Sequence, residues 1–295
     1  MRMRTRLFGA VATGVALLLS GCVVDESEFD TKPIVLDVQE QPAIAALVPA
    51  QIRASGVLKV GTNPPYQPNE FKDRDGNIIG YDVDLVNAIG AVLGLKAVYT
   101  QSDFDKIIPS IQSGTYDMGM SSFTDSLERE EQVDFVTYYT AGIQWAAKPG
   151  RDVDPDDACG LRVGVQVSTT EDTDEVPAKS EACVARGSEP IVKVAFDTQD
   201  QAVNAALLGQ VDAFSADSPV TAYAIKKTEG QLEQVGPAYD SAPYGFPIKK
   251  GSELTDAVRQ AVQYLIDNGQ YRKISEHWGV QAGMIDESQI NGAQE

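Results

Sequence analysis

Residues 107–124 read IIPSIQSGTYDMGMSSFT, and residues 202–219 read AVNAALLGQVDAFSADSP. Each runs through apolar residues at helical spacing, stops at a glycine, places an aspartate three residues later, and passes through a short apolar strand into a small polar loop. The strand Lys59-Val60-Gly61-Thr62 is echoed in the same way by Arg162-Val163-Gly164-Val165. One α/β unit is therefore written twice. No fixed short period links the copies, which excludes a solenoid.

Working outward, strand and helix patterns alternate from Val57 onward. Val57–Val60 is a strand ending at Gly61, and Leu85, Ile89, Val92 and Leu93 mark a helix capped by Gly94. Ala97–Tyr99 and Tyr116–Met120 are the next strands of the first unit. Leu161, Val163 and Val165, then Ile191–Phe196 and Val211–Phe214, supply those of the second. Such βαβ alternation predicts mostly parallel sheets covered by helices. VDFVTYYTAG (133–142) leads from the first unit to the second, and YDSAPYGF (239–246) leads back. Two crossings predict a two-stranded hinge. The helices read at Leu254–Asn268 and Tyr271–Trp278 pack back on the first unit.

The ends of the chain set the compartment. Arg2, Arg4 and Arg6 precede the apolar stretch Leu7–Leu19 and then Leu19-Ser20-Gly21-Cys22. This layout predicts a signal peptide over residues 1–21, and the small residues before Cys22 resemble a bacterial lipobox, which makes Cys22 the lipidation site. Residues 22–50, acidic with scattered prolines, read as a lipid-anchored tether, and 282–295 as a loose polar tail. Lobe one then comprises 51–141 plus 243–281, and lobe two 142–242. A chain of about 270 residues without its leader exceeds a usual single core, as two lobes require.

The chain has 24 Lys+Arg against 43 Asp+Glu, and without Arg2, Arg4 and Arg6 its formal charge is −22. Nucleic acid as a partner is excluded, because phosphates must be met by basic side chains. So is direct adsorption to an anionic membrane, which leaves the lipid anchor as the membrane contact. Charge of this size favours a monomer. After Cys22 only Cys159 and Cys183 remain. In an exported protein they read as a disulfide closing a loop of about 25 residues, worth about 3–4 kcal/mol on the chain-entropy model, with two buried thiols as the alternative.

In open α/β sheets ligands bind beyond the carboxyl ends of the strands. Four loops follow: Thr62–Phe71, Ser121–Arg129, Gln166–Glu171 and Ser215–Ser218. Here the residues carry a resemblance. GYDVDLVNAIGAVLG (80–94), SDFDKIIPSIQSGTYDMGMSSFTDSLERE (102–130), VDFVTYYTAG (133–142), RVGVQVSTTED (162–172), LLGQVDAFSAD (207–217) and the final Trp278-Gly279 occur in the order found in family 3 extracellular solute-binding proteins, which they resemble over about residues 52–281. The fold this implies is two-lobed, periplasmic-binding-protein-like of type II. The function implied is capture of a small polar amino acid by hinge closure, followed by delivery to an ABC permease in the membrane, with no cofactor.

The resemblance assigns roles residue by residue. Arg129 would clamp the ligand α-carboxylate in bidentate fashion, assisted by Ser122 and Thr124. Composition alone would instead make Arg129 a surface residue beside Glu128 and Glu130. Asp217 would accept the α-ammonium, and Thr170 would donate from lobe two. The acids that follow Thr170 are expected to do nothing specific for the ligand. Tyr66 and Phe104 match positions whose rings hold the ligand side chain, and Asn63 and Gln166 positions that read its far end. Amides at both favour a neutral ligand such as glutamine or asparagine. Two rival classes remain, a sensory receptor of the same fold and a carboxylate-dependent dehydratase. Against the enzyme, His277 is the one histidine and lies on the terminal helix pattern, away from the four loops.

Overall fold

The computed structural model describes residues 32–294. The signal peptide at 1–21 and Cys22 lie outside the described residues. The elements in chain order are α1 (Pro42–Ala45), α2 (Ala50–Ser55), β1 (Val57–Thr62), β2 (Phe71–Lys72), β3 (Ile78–Ile79), α3 (Tyr81–Leu93), β4 (Lys96–Gln101), α4 (Phe104–Gln112), β5 (Met118–Gly119), α5 (Leu127–Glu130) and β6 (Val133–Ala147). There follow β7 (Arg162–Gln166), a π-helical turn (Glu171–Glu175), α6 (Val176–Ala185), β8 (Val192–Phe196), α7 (Gln199–Leu207), β9 (Ala213–Asp217), α8 (Ser218–Lys227), β10 (Glu233–Lys249), α9 (Leu254–Asp267) and α10 (Gln270–Trp278).

The strands run in the order β4-β1-β5-β10-β6-β9-β7-β8. At one end β1 lies between β4 and β5, parallel to both; at the other β7 lies between β8 and β9, again parallel to both. The doubled unit of the sequence is thus a doubled β-α-β sheet. The long antiparallel pair β6 and β10 joins them. Between the halves this pair loses regular register, shifting between Val235 and Tyr239 and again between Tyr239 and Ala242.

Each half buries its own core. In lobe one, α9 presents Leu254, Val258, Val262 and Leu265 to Leu85 and Ile89 of α3, all almost fully buried. Burial of that kind contributes about 1.5–3 kcal/mol per side chain. A second cluster places Phe104, Ile107 and Ile111 of α4 against Phe123 and Phe135. In lobe two, Trp145, Val163, Val165 and Val176 form one cluster, and Ala202, Ala206 and Phe214 belong to another. Cys159 and Cys183 form a disulfide that ties the segment before β7 to α6.

Both ends differ from the sequence reading. Of the expected tether, residues 32–50 are packed on lobe one. Ile34, Leu36 and Val38 lie against its core, the Ile34 amide donates to Asp84 Oδ2 at 3.0 Å, and the Gln41 amide to the Val92 carbonyl at 2.9 Å. Trp278 Nε1 donates to the same Asp84 oxygen at 2.8 Å. Of the expected loose tail 282–295, the described residues are also docked. Ile290 forms a bridge with Val136, and Ser288 Oγ donates to the Thr137 carbonyl at 2.7 Å.

Candidate ligand-binding site

The four strand-end loops converge. The β1 loop is held by Gly80, which has φ +141° and whose Cβ, were there one, would sit 2.1 Å from the Asn69 carbonyl oxygen. Only glycine lets the loop 63–70 lie this close to the start of α3. The loop after β5 carries Ser122 at φ 50°, a left-handed conformation rare for a residue with a Cβ.

All nine candidates from the sequence come together around one cavity: Asn63, Tyr66, Phe104, Ser122, Thr124 and Arg129 from lobe one, and Gln166, Thr170 and Asp217 from lobe two. Ser121, Thr169 and Glu171 complete its wall. Three hydrogen bonds cross between the lobes here. Tyr66 donates its hydroxyl to Asp217 Oδ2 at 2.5 Å, Gln166 Nε2 donates to Asn63 Oδ1 at 2.8 Å, and Arg129 Nη2 donates to the Ser168 carbonyl at 3.0 Å.

Arg129 is oriented from several sides. Its Nη1 donates to the Thr124 carbonyl at 2.9 Å, and its guanidinium lies 5.7 Å from the ring centres of both Phe104 and Phe123. Those rings stack on each other at 4.4 Å and 17°. Phe123, which the sequence reading did not single out, therefore forms a platform with Phe104. Arg129 belongs to α5, whose N-cap Ser126 accepts the Arg129 amide at 3.4 Å.

Two expectations are revised by these bonds. Ser122 donates both its amide and its hydroxyl to Asp82 Oδ2, each at 3.2 Å, so neither donor is left for a carboxylate. Asp82 also accepts from Tyr138 at 2.7 Å, and burial raises its pKa to about 6. Asn63 and Gln166 bond one another, and Asn63 Nδ2 donates to the Ser102 carbonyl at 2.7 Å. Much of the amide chemistry expected to read a side chain is thus engaged within the protein.

The acid after Thr170 is the residue that sequence reasoning missed. The π-helical turn brings Glu171 into the wall, 2% exposed, where Thr170 Oγ1 donates to its Oε2 at 3.4 Å and its Oε1 has no hydrogen-bond partner among the described residues. Burial raises its pKa, opposed by the nearby Arg129. Asp217 is raised further, to about 8, first by burial and then by the Glu171 charge. Arg129 is pulled the other way, its pKa lowered by burial and supported by Glu171 and Asp217. The cavity therefore sets two carboxyl groups against one guanidinium, in a wall that also offers flat aromatic faces.

The chain is 45% identical to the arginine-binding protein ArgT of Corynebacterium glutamicum, over 96% of this chain and 93% of that one. The structure matches an ancestral arginine-binding protein bound to arginine with a TM-score of 0.70 and 33% identity, covering 76% of this chain and 98% of that one. It also matches the ancestral amino acid-binding protein AncCDT-1, a precursor of cyclohexadienyl dehydratase, with a TM-score of 0.67 and 32% identity over 77% of this chain and 97% of that one. The profile of the bacterial extracellular solute-binding proteins, family 3, matches residues 58–281. With its doubled α/β lobes, its paired crossing strands and this profile over most of its length, the chain belongs to the bacterial extracellular solute-binding proteins of family 3.

Proposed function

We propose that this protein captures a basic amino acid, arginine first, for an ABC importer. The observation that carries the reading is the pairing of Glu171 and Asp217, both buried, opposite the single guanidinium of Arg129. The α-carboxylate of a zwitterion matches Arg129, and its α-ammonium matches one of the two acids. With a neutral side chain the second acid gains no counter-charge and must hold a proton to remain in a buried wall. A guanidinium side chain balances it, while Tyr66 and Phe104 cover the methylenes. The likeness to the arginine-binding protein of Corynebacterium supports the same ligand. This replaces the neutral ligand favoured by Asn63 and Gln166.

Binding without catalysis is part of the proposal. His277 stands on α10 with Nε2 2.6 Å from the Lys32 carbonyl and is not among the residues lining the cavity. We also retain, as part of this reading, lipid anchorage through Cys22 and a monomeric state.

The test is calorimetric titration of the soluble chain with L-arginine and L-glutamine. Arginine should bind at least tenfold more tightly, and Glu171→Gln should remove most of that preference. Glutamine or asparagine binding tenfold more tightly than arginine would restore the neutral ligand and sink this one.

A further inference from the structure

The docked tail is bonded more extensively than a strand edge requires. On the edge of β6 away from β10, the Thr137 amide donates to the Gln289 carbonyl at 2.9 Å and the Asn291 amide to the Phe135 carbonyl at 3.0 Å. Asn291 Oδ1 accepts the Phe135 amide at 2.8 Å. These bonds satisfy an edge that would otherwise be open to pairing with another chain. The tail then continues past the edge. The Gly292 amide donates to Asp125 Oδ2 at 2.7 Å, and the Ala293 amide to Glu130 Oε1 at 3.1 Å.

Asp125 and Glu130 bracket Arg129 in the sequence and belong to the loop that forms the lobe-one wall of the cavity. Asp125 is 2% exposed, and its own amide donates to the Pro243 carbonyl of β10 at 2.8 Å. The loop is thus pinned to β10 on one side and to the tail on the other. Thr124, next in the chain to Asp125, bridges to Tyr244 and supplies the carbonyl that orients the Arg129 guanidinium. A continuous path runs from Gly292 through Asp125 and Thr124 to Arg129. Space fixes its first step, since a Cβ on Gly292 would come within 2.8 Å of Thr137 Cγ2. Burial, and then the neighbouring Glu130 carboxyl, raise the pKa of Asp125 to about 7.

We propose that Ser288–Ala293 is a strap that positions the Arg129 loop for ligand binding, with Gly292 and Asp125 as its positioning residues. The strap lies beyond residue 281, where the match to the family profile ends, so it is an addition to the part of the chain that defines the family. The proposal rests on Arg129 as the carboxylate clamp.

The test compares the intact soluble chain with a chain ending at Glu287 and with Gly292→Pro, which lacks the amide that meets Asp125. L-arginine is the probe. Both variants should bind it at least tenfold more weakly. Each loss should be smaller when measured in an Arg129→Lys background, because strap and clamp act on one interaction. Arginine should also slow hydrogen exchange of the Gln289–Ala293 amides in the intact chain, since coupling between sites is reciprocal. A strap serving stability alone would give additive losses and exchange unaffected by arginine, and either result overturns the proposal. If the truncated chain does not fold, Gly292→Pro and the exchange measurement still decide. Affinity within twofold of the intact chain in Gly292→Pro overturns the strap and leaves the ligand reading standing. Failure of the intact chain to bind arginine removes both.

Discussion

Tyr66, on the β1 loop of lobe one, donates its hydroxyl to Asp217 Oδ2 at the end of β9 in lobe two, at 2.5 Å. Both groups are buried, and burial followed by the Asp217 charge raises the tyrosine pKa far enough to keep it a donor. The bond crosses from lobe to lobe, and on the proposed reading it orients the carboxylate that meets the ligand ammonium. Tyr66→Phe keeps the ring and removes the bond. A hydrogen bond to a charged group is worth about 1.5–3 kcal/mol, so arginine affinity should fall about tenfold or more by calorimetry, with the melting temperature of the free protein little changed. An unaltered affinity would mean the bond does not contribute to closure.

Arg129→Ala should weaken arginine binding about thirtyfold or more. Losing one partner of a desolvated charge pair costs about 2–5 kcal/mol, part of it from the groups left behind. Arg129→Lys should recover only part of the loss, because an ammonium cannot reproduce the two-pronged fit or the contact with the Phe104 and Phe123 rings. A loss below tenfold for the alanine variant would place the carboxylate elsewhere.

Affinity should depend on pH through Asp217. Its pKa, raised to about 8 by burial and by Glu171, means that the carboxyl holds a proton across the mildly acid range when the cavity is closed. A cationic ligand requires the ionised form, so binding releases that proton. Affinity should therefore rise as pH goes from 5.5 to 8, by up to about tenfold per unit for one proton, and then level off. Titrations in buffers of different ionisation enthalpy would count the proton directly. Glu171→Gln removes the neighbouring charge, lowers the Asp217 pKa and moves the rise to lower pH; a flat profile in the unaltered protein contradicts the mechanism.

The Cys159–Cys183 bond should matter for stability and little for binding, since neither cysteine lines the cavity. Replacing both by alanine should lower unfolding free energy by about 3 kcal/mol on the chain-entropy model, read from the urea midpoint, with arginine affinity within threefold. Free thiols in the native oxidised protein, detected by alkylation and mass spectrometry, would contradict the bond itself.

Much of the fold and of the site is legible in the sequence. The glycine-stopped helices and the strands after them locate the four loops, because strand ends dictate where a ligand can sit, and Arg129, Asp217 and the two rings follow from the motif. Glu171 is not legible. It is one of four acids within five residues, and composition does not say which turns toward the ligand. The π-helical turn decides, burying Glu171, Asp172 and Glu175 and bringing Glu171 alone of them into the cavity wall. The N-terminal segment carries a usable signal in Ile34, Leu36 and Val38, whose alternation marks one buried face, but the prolines and acids around them suggest a tether. The tail carries almost none. Met284 and Ile285 pack against the lobe-one core, but beyond them it is held through backbone amides and short polar side chains, and Ile290, its one large apolar residue there, is 40% exposed. Hydrophobic patterning cannot detect a segment whose attachment is made of hydrogen bonds.

The two long crossing strands are unequal partners. Between Trp145 and Ile143 β6 spends two residues while β10 spends four, from Val235 to Tyr239, and β10 then takes three residues from Tyr239 to Ala242 where β6 again takes two. Over this stretch the surplus backbone is therefore all on β10, and bulged strands bend and twist more readily than regular ones. One rail of the joint is taut and the other has slack. Over this stretch a change of angle between the lobes is absorbed more easily by β10 than by β6, because the unpaired residues lie on β10.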